Sequence, residues 1–470
     1  MIQSFFLTLV GHFISASIFL NACAPVIGDR FDNLPAVDET ASAQDDALAT
    51  CLVRENAHPI KGVPQDYDPL MRAVGDARFV MLGEATHGTH EFYRERARIT
   101  RRLIEEKGFD AVVLEADWTD AFRVNQYVLG GSKDRNAEQA LAGFTRFPVW
   151  MWRNREFRDL VNEIRAINDS RASNVSKVGI YGMDVYGVEE SMSELLDYLK
   201  RTDPQAADRA RRRYGCLGAF RERLQEYGQA AAGNPKRSCQ AQVTEQFREM
   251  EERYRAWLAQ SNRERNDDLF SAYQNARVVM NGEAYWRESY RREFSTWNLR
   301  DQHMADTIHA LAGYFDAIGN QTSKIVVWAH NTHQGDAAMT AMGEAGELNV
   351  GHLMRKAFDG KTVLVGFTTD RGEVMASSRW GEAGRVMKLR PALPGSYSRL
   401  FTDTGIPDFL LIFRGNEALT AEFERRRLER AVGVNYLPET ERQSHYFEAR
   451  MSRQFDAVIH LSVTRAVDPL

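Results

Sequence analysis

The 470-residue sequence has no excess of either charge: 60 Lys and Arg against 65 Asp and Glu leave a formal net charge of −5. A balance this near neutral offers little electrostatic attraction to nucleic acid or to a membrane surface, so no nucleic-acid partner is expected. Cysteine is scarce. The four residues, Cys23, Cys51, Cys216 and Cys239, form no Cys-x-x-Cys pair, which argues against a zinc ribbon. Past residue 23 no apolar run approaches the roughly 18 residues needed to span a bilayer. Internal repeats are absent as well. What remains is an ordinary globular mix, 43% hydrophobic and 27% charged, with ample material for a core.

The N-terminus stands apart. "MIQSFFLTLVGHFISASIFLNAC" is mostly apolar up to Leu20 and closes with Leu20-Asn21-Ala22-Cys23. An apolar stretch ending in a small residue reads as an export signal. The ending also resembles the lipobox of bacterial lipoproteins, in which Cys23 would carry a lipid anchor. Residues 1–23 are therefore expected to be a signal peptide, with the mature chain in the periplasm or on the outer membrane. Residues 24–50, rich in Ala, Asp and Pro, read as a flexible tether. In an oxidising compartment Cys216 and Cys239 could pair and leave Cys51 free; two unpaired thiols are the alternative.

Five short apolar runs punctuate the rest: "RFVMLGE" (78–84), "DAVVLEAD" (110–117), "KVGIYGMD" (177–184), "KIVVWAH" (324–330) and "TVLVGFTTD" (362–370). A helix-length segment, 91–107, separates the first two. Strand, helix and strand within about 40 residues mark a parallel sheet with right-handed crossovers. The expected fold is α/β, a mainly parallel sheet flanked by helices. Its core spans 51–190 and 317–470. The Arg/Glu-rich stretch 191–316 reads as a large helical insertion or lid forming part of the cleft, with helices at 191–201, 204–230, 241–260 and about 283–316. Each apolar run ends in an ionisable residue: Glu84, Glu115 with Asp117, Asp184, His330 and Asp370. Ligands of open parallel sheets sit outside the carboxyl ends of the strands, so these groups point to one polar crevice.

On a helical wheel Phe92, Ile99 and Leu103 of segment 91–107 fall within about 20° of one another, and Arg96 lies about 40° from Phe92, inside the apolar arc. A buried guanidinium needs a carboxylate, and Glu84 and Glu115 are the candidates. His87 lies in the turn before this helix, where the partial positive charge of a helix N-terminus favours a neutral imidazole suited to general-base work. Gly83 and Gly88 read as allowing sharp turns on either side. In "WAHNTHQGD", His330 and His333 bracket Asn331 at the end of a buried strand. The three histidines either orient water and substrate by hydrogen bonding or ligate a metal with a carboxylate; spacing leaves both open. "WMWRNREFRDLVNEIRAIN" (150–168) reads as an amphipathic helix. Asp301 falls on the apolar stripe of Trp297, Met304, Ile308 and Leu311, which suggests a buried ion pair.

"GEATHGTHEF", "VVLEADW", "WRNREFRDL" and "VVWAHNTHQGD", in this order, resemble the erythromycin esterase family of macrolide-inactivating hydrolases over roughly residues 60–450. A Gly-x-Ser-x-Gly nucleophile elbow is not among its motifs. The resemblance implies His87 as general base on water, Glu84 as the acid three residues before it, Arg96 as the family's arginine in the following helix, Glu115 as its glutamate at the end of the next strand, and His330 and His333 as the later histidine pair. The expectation is a cofactor-independent ester or lactone hydrolase. In it Arg96, held against Glu115, stabilises charge on the carbonyl oxygen, and Asn331, Trp118 and Asp184 contact a small-molecule substrate. A metal-dependent hydrolase using the same cluster, or a non-catalytic envelope protein binding a small ligand or haem, are the alternatives. Oligomeric state is left open.

Overall fold

The computed structural model describes residues 43–470, apart from 173–174, 222, 262–264, 292 and 320. The expected signal peptide, Cys23 and the tether as far as residue 42 lie outside the described residues. The remainder of the tether reading is corrected: residues 43–50 open a helix, Ala43–Asn56, whose Ala49, Leu52 and Val53 are buried in the main core. Alanine is the strongest helix former, and apolar residues one turn apart give this segment a face to bury.

The five apolar runs form strands β1 (Phe79–Leu82), β2 (Ala111–Asp117), β3 (Gly179–Asp184), β4 (Ile325–Trp328) and β5 (Thr362–Ala376), followed by β6 (Asp408–Ile412) and β7 (Ala457–Thr464). They lie in the order β3-β2-β4-β1-β5-β7-β6. Neighbours from β3 to β7 are parallel, and β6 is antiparallel to β7. Side chains alternate between two cores. Phe79, Met81, Val113 and Val327 face one, and Val80, Leu82, Val112 and Val326 face the other. Burial on both faces is why the strands read as unbroken apolar runs. One core is roofed by α1 (His90–Lys107), α2 (Trp118–Leu129) and α3 (Arg155–Ser170), through Phe92, Ile99, Val124 and Phe157. The other is covered by the helical stretch between β3 and β4, which includes α4 (Val188–Thr202), α5 (Asp267–Arg291) and α6 (Thr296–Ile318).

Two helix boundaries differ from expectation. The stretch 204–230 is two helices, Pro204–Gly218 and Leu224–Gly233. The helix expected near 283–316 is also two, because Ser295 caps α6 by accepting from the Asn298 N–H at 3.2 Å. Cys216 and Cys239 are joined by a disulfide, and Cys51 is not a free thiol. Asp370 does not end a strand. β5 continues to Ala376, since its far half pairs with Arg385–Leu389, and Asp370 instead accepts from the Ala392 N–H at 2.9 Å.

The connectivity places the crevice. From β1 the chain steps outward to β2 and β3, returns to insert β4 between β1 and β2, and then passes to β5 on the far side of β1. Such a reversal opens a gap at the carboxyl edge, where Glu84, Glu115, Asp184 and His330 emerge.

Candidate active site

The loop from β1 to α1 is sewn to distant parts of the chain. The Val432 N–H donates to the Ala85 carbonyl at 2.8 Å, and the Met375 and Val467 N–H groups both donate to the Gly88 carbonyl, at 3.0 and 3.1 Å. Neither Gly83 nor Gly88 adopts a left-handed backbone. A Cβ on Gly88 would collide with the Met375 carbonyl, and one on Gly83 with the Asn331 side chain. Close approach, rather than the sharp turn expected, is what requires glycine here.

Glu84 is sealed from solvent between two partners. Arg96 Nη2 donates to Glu84 Oε2 at 2.7 Å, and His87 Nδ1 lies 2.9 Å from Glu84 Oε1. Arg96 is itself fully buried, its guanidinium 4.6 Å from the Tyr93 ring centroid and 4.5 Å from that of Trp328. Arg96 Nε and Nη1 find no hydrogen-bond acceptor among the described residues, and these aromatic faces take that place. The expected Arg96–Glu115 pairing is therefore corrected: Arg96 belongs to Glu84, and it lies behind the cavity wall rather than in it. With Nδ1–H given to the Glu84 carboxylate, His87 presents Nε2 as its lone-pair nitrogen.

Glu115 belongs instead to Arg300 of α6. Arg300 Nη2 donates to Glu115 Oε1 at 2.8 Å and to Asp184 Oδ2 at 2.7 Å, and Nε donates to Asp184 Oδ1 at 2.9 Å. The other Glu115 oxygen accepts from the His330 backbone N–H at 2.9 Å. Burial alone would raise the Glu115 pKa, but His333 and Arg300 hold it well below the usual carboxylate range. His333 Nδ1 faces Asp301 Oδ1 at 2.8 Å, and its ring stacks on Trp297 with centroids 4.4 Å apart. Burial works to lower the His333 pKa, but Asp301 and Glu115 outweigh it and raise the pKa. His333 Nε2 sits between Arg300 Nη1 at 3.1 Å and Glu115 Oε1 at 3.4 Å. An imidazolium cannot accept from Arg300, so when charged it directs Nε2–H to Glu115.

His330 has the opposite polarity to His87. It is the N-cap of the short helix Asn331–Gln334, and its Nδ1 accepts from the Thr332 N–H at 3.3 Å and lies 2.9 Å from Thr332 Oγ1. The ring proton is thereby left on Nε2, which makes no hydrogen bond among the described residues; the Ala85 carbonyl is near enough only to favour a ring proton slightly. Burial, and then the neighbouring His87, push the His330 pKa well below the ordinary imidazole range. The His87 and His330 rings lie 4.9 Å apart, centroid to centroid.

These groups form one end of a cavity of about 430 Å³, whose walls include His87, Glu115, Asp184, Arg300, His330 and His333. Two expected substrate contacts are corrected. Trp118 is buried among Phe122, Tyr181 and Phe270, with its Nε1–H given to Ser271 Oγ at 3.1 Å. Asn331 is fully buried and acts as a brace: its Nδ2 donates to the Phe367 carbonyl at 2.8 Å and to Glu429 at 3.1 Å. Asp184 does line the cavity, with its oxygens committed to Arg300. Sequence reasoning missed Arg300, although it stands three residues after Trp297 and four before Met304 and so shares the face that picked out Asp301. It also missed Arg146, whose fork grips Asp117 at 2.6 and 2.8 Å, and Asp120, whose carboxyl is pushed up to about 7 by burial and by Asp117. Both line the cavity. Among the described residues no three His, Cys, Asp or Glu side chains converge as metal ligands.

The fold and site together define an α/β protein with a histidine–carboxylate–arginine cavity at the carboxyl edge of its sheet. The family model described as erythromycin esterase matches residues 104–464, and the chain belongs to that family. A curated relative, erythromycin esterase type II of Escherichia coli, is 32% identical over 79 residues, which is 17% of this chain and 19% of the relative; the match thus spans about a fifth of that protein. Among solved structures, one titled a succinoglycan biosynthesis protein has a TM-score of 0.73 at 20% identity, covering 91% of this chain and all of its own. A Bacillus cereus protein has a TM-score of 0.73 at 21% identity, covering 90% of this chain and 98% of its own. A mutant of the erythromycin esterase EreC in its open conformation has a TM-score of 0.62 at 17% identity, covering 86% and 95%. These structures share the fold.

Proposed function

We propose that the protein hydrolyses an ester or macrolactone by histidine-assisted attack of water. The observation that carries this reading is the pairing of His87 and His330 at 4.9 Å on the cavity wall in opposite tautomers, with the Nε2 lone pair free on one and the ring proton on Nε2 of the other, where it has no hydrogen-bond partner among the described residues. His87 Nε2 takes a proton from water as the water oxygen bonds to the carbonyl carbon. The His330 Nε2–H donates to the carbonyl oxygen as it becomes an oxyanion. Arg300 and His333, each paired with carboxylates, fix the geometry of the same end of the cavity. Collapse of the tetrahedral species breaks the bond to the alcohol oxygen, which receives the proton held on His87. Glu84 orients His87 and steadies its charged form, and Arg96 acts through Glu84 as a positioning residue.

General-base help of this kind contributes roughly 10²–10⁴-fold, and loss of one oxyanion donor costs roughly 10²–10³-fold. The test is a hydrolysis screen by mass spectrometry over aryl esters and 14- and 16-membered macrolides, with and without chelator. His87→Ala should abolish turnover while the far-UV circular dichroism stays unchanged; undiminished turnover would end the proposal. Loss of activity on chelation, restored by zinc, manganese or iron, would transfer the reading to a metal-dependent hydrolase. Export of the chain is part of the proposal. It is supported by the apolar N-terminal run and by the Cys216–Cys239 disulfide, which persists in oxidising compartments.

A further inference from the structure

The cavity has a second pole. Away from the histidines part of its wall is aromatic, set beside the charged Arg146, Asp117 and Asp120. The Trp152 Nε1–H donates to the Glu115 carbonyl at 3.2 Å, so this indole adjoins the polar end directly. Phe144 packs on Trp152 with centroids 6.4 Å apart. At the mouth Phe147 meets Trp380 edge to face at 5.0 Å, and Trp380 is 64% exposed. All four side chains line the cavity.

Exposure of an indole is unremarkable on a loose loop, but this one is held. Trp380 belongs to the turn between β5 and Arg385–Leu389. The Ser377 N–H donates to the Val434 carbonyl at 3.0 Å, and the Tyr436 N–H to the Ser377 carbonyl at 3.0 Å. With its amide oriented to satisfy both contacts, Asn435 accepts from the Arg379 and Trp380 N–H groups at 3.2 and 2.9 Å. Gly384, at the other foot of the turn, lies so close to the buried Trp150 ring that any Cβ would collide with it. A large apolar side chain held in place on the lining of a cavity that Phe147, Phe144 and Trp152 also line marks a binding contact rather than idle surface.

We propose that Trp380 and Phe147 form an aromatic clamp that receives a bulky apolar portion of the substrate, so that the enzyme selects amphipathic esters, with the scissile carbonyl at the histidines and an apolar body along the Trp152–Phe144 track. This rests on the hydrolase reading above. It predicts selectivity by size and hydrophobicity on one side of the ester.

The readout is the ratio of kcat/KM for p-nitrophenyl decanoate to that for p-nitrophenyl acetate. Trp380→Ala should lower this ratio at least tenfold, mainly through KM for the decanoate, and Trp380→Phe should restore most of it. A general structural effect would lower both esters alike and leave the ratio unchanged, which would overturn the clamp. Calorimetric titration with 2-decanone separates the clamp from the hydrolase reading. If wild type hydrolyses neither ester and no substrate of the screen above, the hydrolase reading fails on its own. The clamp then stands if Trp380→Ala raises the Kd for 2-decanone at least fivefold, and falls if the Kd is unchanged.

Discussion

Arg96 Nη2 lies 2.7 Å from Glu84 Oε2, and neither side chain has any exposure to solvent. A buried pair of this kind is balanced only while both members are present. Arg96→Met leaves the buried Glu84 charge with His87 as its one remaining partner, and should cost roughly 3–5 kcal/mol in urea unfolding. The double variant Arg96→Met with Glu84→Gln removes that charge and should recover most of the stability. Its kcat should stay low, because a neutral amide still accepts from His87 Nδ1–H but cannot steady the imidazolium formed when His87 holds a proton. Recovery of kcat along with stability would show that the pair serves the fold alone.

Arg300 ties the polar end together, donating to Glu115 and Asp184 while contacting His333. A guanidinium spans these groups because its donors are fixed in a planar fork, whereas an ammonium is a single point of charge. Arg300→Lys should therefore reduce kcat/KM by roughly 10²-fold, comparable to removing one well-aimed donor. Steady-state kinetics on the best substrate of the screen, with a thermal melt on the same sample, checks this. Near-normal kcat/KM would remove Arg300 from the chemistry.

The parts of this arrangement visible in the sequence were those with a local pattern. Short unbroken apolar runs marked β1 to β5, and the acid or imidazole closing four of them marked Glu84, Glu115, Asp184 and His330. The wheel placed Arg96 inward. Partnership was not visible, because it depends on sheet order. Glu84 and Glu115 end strands that flank the same helix in sequence, yet β4 inserts between β1 and β2 and gives Glu115 to Arg300, which is 185 residues away. Asn331 lies between two cavity histidines and still turns inward, because adjacent residues on a short helix point in different directions. Asp370 illustrates the reverse error: the apolar run stops there, but the strand does not.

The disulfide links the helix Pro204–Gly218 to the residue just before the helix Gln240–Leu258, with 23 residues of sequence separation. Closing a loop of this size restricts the unfolded chain and is worth roughly 3 kcal/mol. Cys216→Ser with Cys239→Ser should lower the thermal midpoint. Wild type melted in reductant should move toward the variant, and the variant should not respond to reductant at these positions. Coincident melts for oxidised wild type and the variant would show that the bridge adds nothing to the helical stretch between β3 and β4.

Glu429 contributes to the pH dependence of stability, as does Asp120. The Glu429 carboxyl is buried, accepts from Asn331 Nδ2 at 3.1 Å, and is pushed up to about 8 by burial. The unfolded chain releases this proton near the ordinary glutamate value of 4.5. Between those limits the folded state binds more protons than the unfolded state, so this group's contribution to stability falls as pH rises from about 4.5 to about 8, by at most about 1.4 kcal/mol per pH unit. Below pH 4.5 both states hold the proton and the contribution is flat; above about 8 both have lost it. Glu429→Gln keeps an acceptor for Asn331 and has no proton to lose. It should therefore flatten the curve of unfolding free energy against pH between 5 and 8, and be more stable than wild type at pH 8. Urea titrations at half-unit steps would decide it: parallel curves for the two proteins would mean that the Glu429 carboxyl is already ionised in the folded protein, and that Asn331 is held by a charge.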